Sequence, residues 1–205
     1  MLISESRRFI FVHVQKTAGS SLRDLLSPHA LKPDHGRLNR VLSDLGLQRD
    51  WRRRFFRTHA NLRAAEARLP PEIYRDFRKI GFVRNPWERL LSWYGYVQNT
   101  PGHADCRAGE PFEDFARRFI AKPRRSQWWM IRDASGAMGL DFVGRFENLQ
   151  DDTAAMCRLL DIPLTAIPHR KRLITRDHRN AYSDRLAEQV GKAWQAEIDH
   201  FGYRF

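Results

Sequence analysis

Cysteine is nearly absent from this chain: Cys106 and Cys157 are the only two among 205 residues, too few for a disulfide framework. One lies in a turn-rich stretch and the other in an apolar helical pattern, so both are read as reduced thiols. Carboxylates are also short. The 24 Asp and Glu face 36 Lys and Arg, a net charge of +12 that concentrates anions around the molecule and points to anionic partners. Lysine is scarce within that excess, occurring only at Lys16, Lys32, Lys79, Lys122, Lys171 and Lys192. The rest is arginine, whose planar fork suits bidentate grips on phosphate or sulfate. No apolar run reaches transmembrane length, no basic stretch followed by an apolar core opens the chain, and no Asn-x-Ser/Thr sequon occurs, so a cytoplasmic location is expected. Internal repeats and low-complexity tracts are missing too.

What is present suffices for a packed interior. Hydrophobic residues make up 42% and aromatics 12%, a composition of folded rather than disordered chains, and the length predicts a single domain over 1–205. Arg8 to Val14 is a nearly continuous apolar, β-branched and aromatic run, the pattern of a strand buried on both faces of a parallel sheet. Leu22, Leu25 and Leu26 then fall at i, i+3 and i+4, and Pro28 closes that helix. Residues 31 to 57 are basic and poorly periodic, hence irregular or short-helical. Lys79 to Val83 predicts a second buried strand, and Asn85 followed by Pro86 an N-cap and first-turn proline. In the helix that follows, Trp87, Leu90, Leu91 and Tyr94 predict the inward face, with Ser92 on another side. Residues 99 to 111 are turn-forming and read as a loop. Asp141 to Phe146 predicts a third strand, followed by a helix with Asp151 and Asp152 in its first turn and Met156, Leu159 and Leu160 facing in. Residues 163 to 182 are proline-broken and basic, and the stripe Leu186, Val190, Trp194, Ile198 predicts a final helix packed on the sheet. The alternation specifies an α/β fold with a mainly parallel central sheet flanked by helices, in which ligands sit beyond the carboxyl ends of the strands.

Gln15-Lys16-Thr17-Ala18-Gly19-Ser20-Ser21 directly follows a buried strand and opens a helix. Its N–H groups can converge on an anion at the positive helix end, while Lys16 adds a point charge and Thr17, Ser20 and Ser21 add hydroxyl donors. It is not the nucleotide-triphosphate loop GxxxxGK[ST], because the lysine comes first and the terminal Gly-Lys-Ser/Thr is missing. His13 to Leu22, together with Phe82 to Tyr94 (FVRNPWERLLSWY), resembles the two donor-binding signatures of sulfotransferases, especially the carbohydrate sulfotransferase branch. Gly144 to Leu149 (GRFENL) and Asp199 to Phe205 (DHFGYRF) extend the likeness, although the middle of the chain matches poorly. The resemblance implies a P-loop, nucleotide-kinase-like sulfotransferase fold and the donor 3′-phosphoadenosine 5′-phosphosulfate (PAPS), with no metal required. It also implies that Lys16, Thr17, Ala18, Gly19, Ser20 and Ser21 hold the 5′-phosphosulfate, and that Arg84 and Ser92 hold the 3′-phosphate. Ser92 lies roughly 9 to 10 Å along its helix from the Asn85-Pro86 start, at ~1.5 Å per residue, a gap that arginine can largely span.

Sulfuryl transfer to a hydroxyl needs an in-line nucleophile, a proton acceptor and stabilisation of the departing phosphate. Lys16 suits the last role, since an ammonium at the bridging oxygen interacts more strongly as the bond breaks. For the base, the resembling carbohydrate enzymes carry a short histidine-containing segment between the two motif strands, which selects His59. Glu66 and Glu88 are the weaker alternatives, and His13, at a strand end, reads as a packing or loop-orienting residue. Glu147 reads as a structural anchor. His169 to Arg172 can fold over the donor as a late basic loop does in related enzymes, and Arg52 to Arg54 or Arg124-Arg125 can recognise an anionic acceptor. The expected partners are thus an anionic nucleotide donor and a hydroxyl-bearing, carbohydrate-type acceptor, with no nucleic acid. Two other readings stay open: an ATP- or GTP-dependent P-loop-type kinase, and a basic nucleic-acid-binding module built on the +12 charge with Trp51, Phe55 and Phe56 among arginines.

Overall fold

The structure, a computed structural model, describes residues 1–164 and 178–205. In chain order the strands are β1 (Leu2–Ser4), β2 (Phe9–Val12), β3 (Arg78–Val83) and β4 (Phe142–Arg145). The helices are α1 (Gly19–Leu26), α2 (Arg37–Asp44), α3 (Leu62–Arg68), α4 (Pro71–Asp76), α5 (Pro86–Gln98), α6 (Phe112–Ile120), α7 (Gln127–Ile131), α8 (Leu149–Leu160), α9 (Asp184–Ala193) and α10 (Gln195–Phe201). The described residues fall into two compact units, 1–83 with 130–164, and 84–129 with 178–205.

The first unit carries the whole sheet, in the order β1-β2-β3-β4. β2, β3 and β4 are parallel, and β1 adds an antiparallel edge in which Ile3 faces Ile10. The three parallel strands are the three expected from their apolar runs. β1 was not anticipated, because three residues are too short to show a period. Alternation along β2 and β3 turns Phe9, Phe11, Ile80 and Phe82 into one core with Leu22, Leu25 and Leu26 of α1 and Met156, Cys157 and Leu160 of α8. Removing each such side chain from water contributes roughly 2 kcal/mol. Gly144 of β4 admits the Phe82 ring, whose Cε1 would lie 2.2 Å from a Cβ at that position. One expected inward residue differs: Leu159 is 37% exposed, and Cys157 takes its place inside.

The second unit is helical. Asn85 caps α5 as expected, its Oδ1 accepting from Trp87 N–H at 3.1 Å and Glu88 N–H at 3.3 Å. The inward face of α5 is rotated from the expected one. Trp87 and Leu90 are buried with Arg89, Trp93 and Val97, while Leu91 and Tyr94 are half-buried. The Tyr94 hydroxyl donates to the Glu110 carbonyl at 2.8 Å. The C-terminal stripe forms two helices rather than one, broken at Trp194, where φ is −119° and ψ 27°. Within this unit it packs on α5 and α6: Trp87 Nε1 donates to the Ala187 carbonyl at 3.0 Å, and Trp194 meets the Phe119 ring edge-on at 6.3 Å. The 99–111 loop is irregular but anchored, with buried Asp105 accepting from Arg125 at 2.5 to 2.6 Å.

Candidate active site

In the first unit, β2 ends at Val12 and α1 begins at Gly19. Two of the residues between them, Lys16 (φ 66°) and Ala18 (φ 62°), have left-handed backbone, which costs a side-chain-bearing residue about 1 kcal/mol or more. Backbone reversals of this kind build the anion-binding nests of phosphate turns. Ala18 is the N-cap of α1 and offers no side-chain oxygen, so the first-turn N–H groups are not capped by their own N-cap side chain and remain suited to an anion. Thr17 is buried, and its hydroxyl donates to the Val14 carbonyl at 2.9 Å. That side chain therefore holds the turn, and its contribution to a ligand falls to the backbone. Ser20 is exposed and Ser21 buried.

His13 lies under this turn. It is buried, and its Nε2 would be 1.9 Å from a Cβ at position 19, so only glycine fits there. The His13 ring meets that of His59 with centroids 4.5 Å apart, and His59 Nδ1 is 3.1 Å from the His13 carbonyl oxygen. A carbonyl can only accept, so Nδ1 carries the proton and Nε2 of His59 keeps its lone pair. Burial, then the neighbouring His59, lowers the His13 pKa to about 3. His59 is itself more than a third exposed, yet desolvation by its neighbours outweighs the His13 hydrogen bond and holds its pKa below the usual value. Both rings are neutral at pH 7. Glu66, the weaker base candidate, accepts from Ala134 N–H at 2.7 Å and so supports a loop.

In the second unit, Arg84 opens the chain after β3 and is buried. Its guanidinium donates from Nε and Nη2 to Glu88 Oε2 at 3.4 and 3.3 Å, and His178 Nδ1 is 3.6 Å from the other Glu88 oxygen. Glu88 thus serves as an ion-pair partner of Arg84. Ser92 is half-buried on α5. The backbone of Arg84 is held by a residue that the sequence did not single out. Gln127 accepts from Arg84 N–H and donates to Arg84 C=O, both at 2.8 Å, like a neighbouring strand. Glu197, fully buried, fixes Gln127 in turn by accepting from its side chain at 3.1 Å and its N–H at 2.6 Å, and from Trp128 N–H at 3.0 Å. Burial raises the Glu197 pKa against the pull of Arg89. Nothing in one sequence links a lone glutamine to a strand end 43 positions away.

Of the arginines expected to meet an acceptor, Arg52 donates to both Glu5 oxygens and Arg125 to Asp105, whereas Arg53 and Arg124 are exposed. His169 to Arg172 lies outside the described residues. Among the described residues no group of three or more His, Cys, Asp and Glu is arranged to hold a metal ion, and no helix is long and apolar enough to cross a membrane.

Nothing among curated proteins or solved structures matches the chain. A family model described as the Sulfotransferase family matches residues 1–204, taking in both donor-motif segments. The chain accordingly belongs to the sulfotransferase family and is a sulfotransferase.

Proposed function

We propose that the enzyme transfers a sulfuryl group from PAPS to a hydroxyl of a saccharide or glycoconjugate, in the cytosol, with 1–205 acting as one catalytic domain. In this reading the N–H groups of Lys16 to Ser21, the Lys16 ammonium and the Ser20 and Ser21 hydroxyls receive the 5′-phosphosulfate. Arg84 and Ser92 receive the 3′-phosphate, which shares or replaces Glu88 as the partner of Arg84. His59 Nε2 takes the proton of the acceptor hydroxyl as its oxygen bonds to sulfur. The bond from sulfur to the bridging oxygen breaks, and 3′-phosphoadenosine 5′-phosphate leaves with the negative charge, which Lys16 stabilises. No metal takes part.

The observation that carries the reading is the linkage through His13. One buried, neutral ring touches Gly19 of the anion turn and also the ring of His59, whose Nε2 remains an acceptor. A phosphate turn and a neutral base set side by side are what an in-line transfer to a hydroxyl requires. The saccharide acceptor rests on the likeness of the motifs to the carbohydrate branch, and the cytosolic location on the two free cysteines.

Calorimetry tests the donor. 3′-Phosphoadenosine 5′-phosphate is expected to bind at least about tenfold more tightly than ADP, since a charge-assisted contact to the 3′-phosphate, which ADP lacks, is worth ~1.5 kcal/mol or more. Equal affinity for the two would remove Arg84 and Ser92 as the 3′-phosphate site. Labelled PAPS with a panel of saccharides then identifies the acceptor.

A further inference from the structure

Helix α2 sets its polar side inward. Asn39 and Ser43 are its buried residues, and both are engaged. Asn39 Nδ2 donates to the carbonyls of Asp34 and Arg53, each at 2.8 Å, and Asn39 Oδ1 accepts from Gln48 Nε2 at 2.7 Å. Ser43 Oγ accepts from Phe55 N–H at 2.9 Å. Apart from half-buried Leu42, the aliphatic side chains are outside. Leu38, Val41 and Leu45, at i, i+3 and i+7, are 72%, 53% and 66% exposed, and Leu47 just beyond is 61% exposed. Water disfavours such a patch, and only rotation of the helix would bury it, at the cost of unmaking the Asn39 and Ser43 bonds. An apolar stripe held outward by buried polar bonds marks an interaction surface.

Charge selects what covers it. Residues 37–57 contain seven arginines against two aspartates, and Arg37, Arg40, Arg49 and Arg53 are exposed. Asp44, one of the two carboxylates, is already paired with Arg57 and Arg68. A second copy of this chain would bring two such cationic clusters face to face, and four aliphatic side chains offer well under the roughly 800 Å² per partner of a stable dimer. An anionic bilayer satisfies both features at once, taking the aliphatic stripe into the boundary of headgroups and acyl chains and the arginines onto lipid phosphates. Eight residues make a helix about 12 Å long, which suits one lying in the interface and not one crossing it. We propose that α2, with Leu47, docks this protein on an anionic lipid surface. The inference is independent of the donor and acceptor proposed above.

Flotation of the full chain with vesicles tests it, comparing phosphatidylcholine alone with phosphatidylcholine containing about 30% phosphatidylserine. The protein is expected to travel with the anionic vesicles only. L38S/L45S keeps every charge and should bind about tenfold less, or weaker still, with its thermal midpoint unchanged. R37Q/R49Q keeps every aliphatic side chain and should also bind less. Equal flotation of L38S/L45S and the parent would show that net charge alone drives association and would overturn the proposal, as would no association with either vesicle. A dimer in sedimentation velocity that L38S/L45S abolishes would give the surface to a second copy instead.

Discussion

His13 shows how much one side chain can settle. Its ring fixes glycine at position 19, orients His59 through its own carbonyl, and stays uncharged because burial opposes protonation. In the unfolded chain it titrates near 6.5 and in the folded one near 3. Between those values the unfolded state binds a proton that the native ring refuses, so stability falls as pH drops from 6.5 toward 3, by up to ~4 kcal/mol. His59, also lowered, adds to the same acid-side loss just below its ordinary value. Urea unfolding of H13N from pH 7 to 4 should therefore show a shallower acid slope, reduced by up to about 1.4 kcal/mol per pH unit. In the proposed reaction the catalytic counterpart belongs to His59. H59N should lower kcat by about 10²–10⁴-fold and erase the acid limb of the pH–rate profile, which the lowered pKa places below the ordinary histidine value. A variant of unchanged turnover would leave the base elsewhere. Lys16, Arg84, Ser92 and His59 are candidates that the likeness to family motifs supplies, because such motifs run over short spans of sequence. The partners of Arg84 are not supplied that way. Gln127 and Glu197 lie far from it in the chain, and Glu88, considered as a base, is an ion-pair partner.

At the scale of elements, strands β2, β3 and β4 and the start of α5 were all legible. Continuous apolar runs are the mark of strands covered on both faces, and Asn85-Pro86 satisfies the orphan N–H groups of a first turn. The face each helix buries was less so. α5 rolled toward Trp93 and Val97, and α8 exchanged Leu159 for Cys157, because a helix turns toward whatever neighbours fit its ridges and not toward its most apolar edge. α2 is the extreme case, with a polar face held in by hydrogen bonds. The pairing of Gln127 with Arg84 carries a prediction. Gln127 bonds both backbone groups of Arg84, so Q127L leaves a buried N–H, a buried C=O and a Glu197 oxygen without their partner. It should destabilise the protein by ~3 kcal/mol in denaturant unfolding. The variant should also weaken binding of 3′-phosphoadenosine 5′-phosphate while leaving ADP binding nearly unchanged. An equal loss for both nucleotides would confine Gln127 to a purely structural role.

For the whole molecule the governing quantity is charge. A net +12 raises the local concentration of a multiply anionic donor and speeds its encounter, an effect that salt screens. Raising ionic strength from about 10 to about 150 mM should cut kcat/KM for PAPS several-fold while leaving KM for a neutral saccharide acceptor nearly unchanged. A salt-independent donor term would show that the arginines act only locally, as Arg52 and Arg125 do in their pairs with Glu5 and Asp105. The amino-acid order alone determined the α/β class and the three parallel strands, and its likeness to known motifs pointed to the sulfotransferase family. The strands rest on apolar periodicity within a few consecutive residues, which a chain expresses locally. Only the tertiary structure decided which faces are buried, that His13 joins the turn to His59, that Gln127 and Glu197 hold Arg84, and that Leu38, Val41 and Leu45 stand outside. Those outcomes depend on hydrogen bonds and packing between segments tens of residues apart, which neither spacing nor composition can encode.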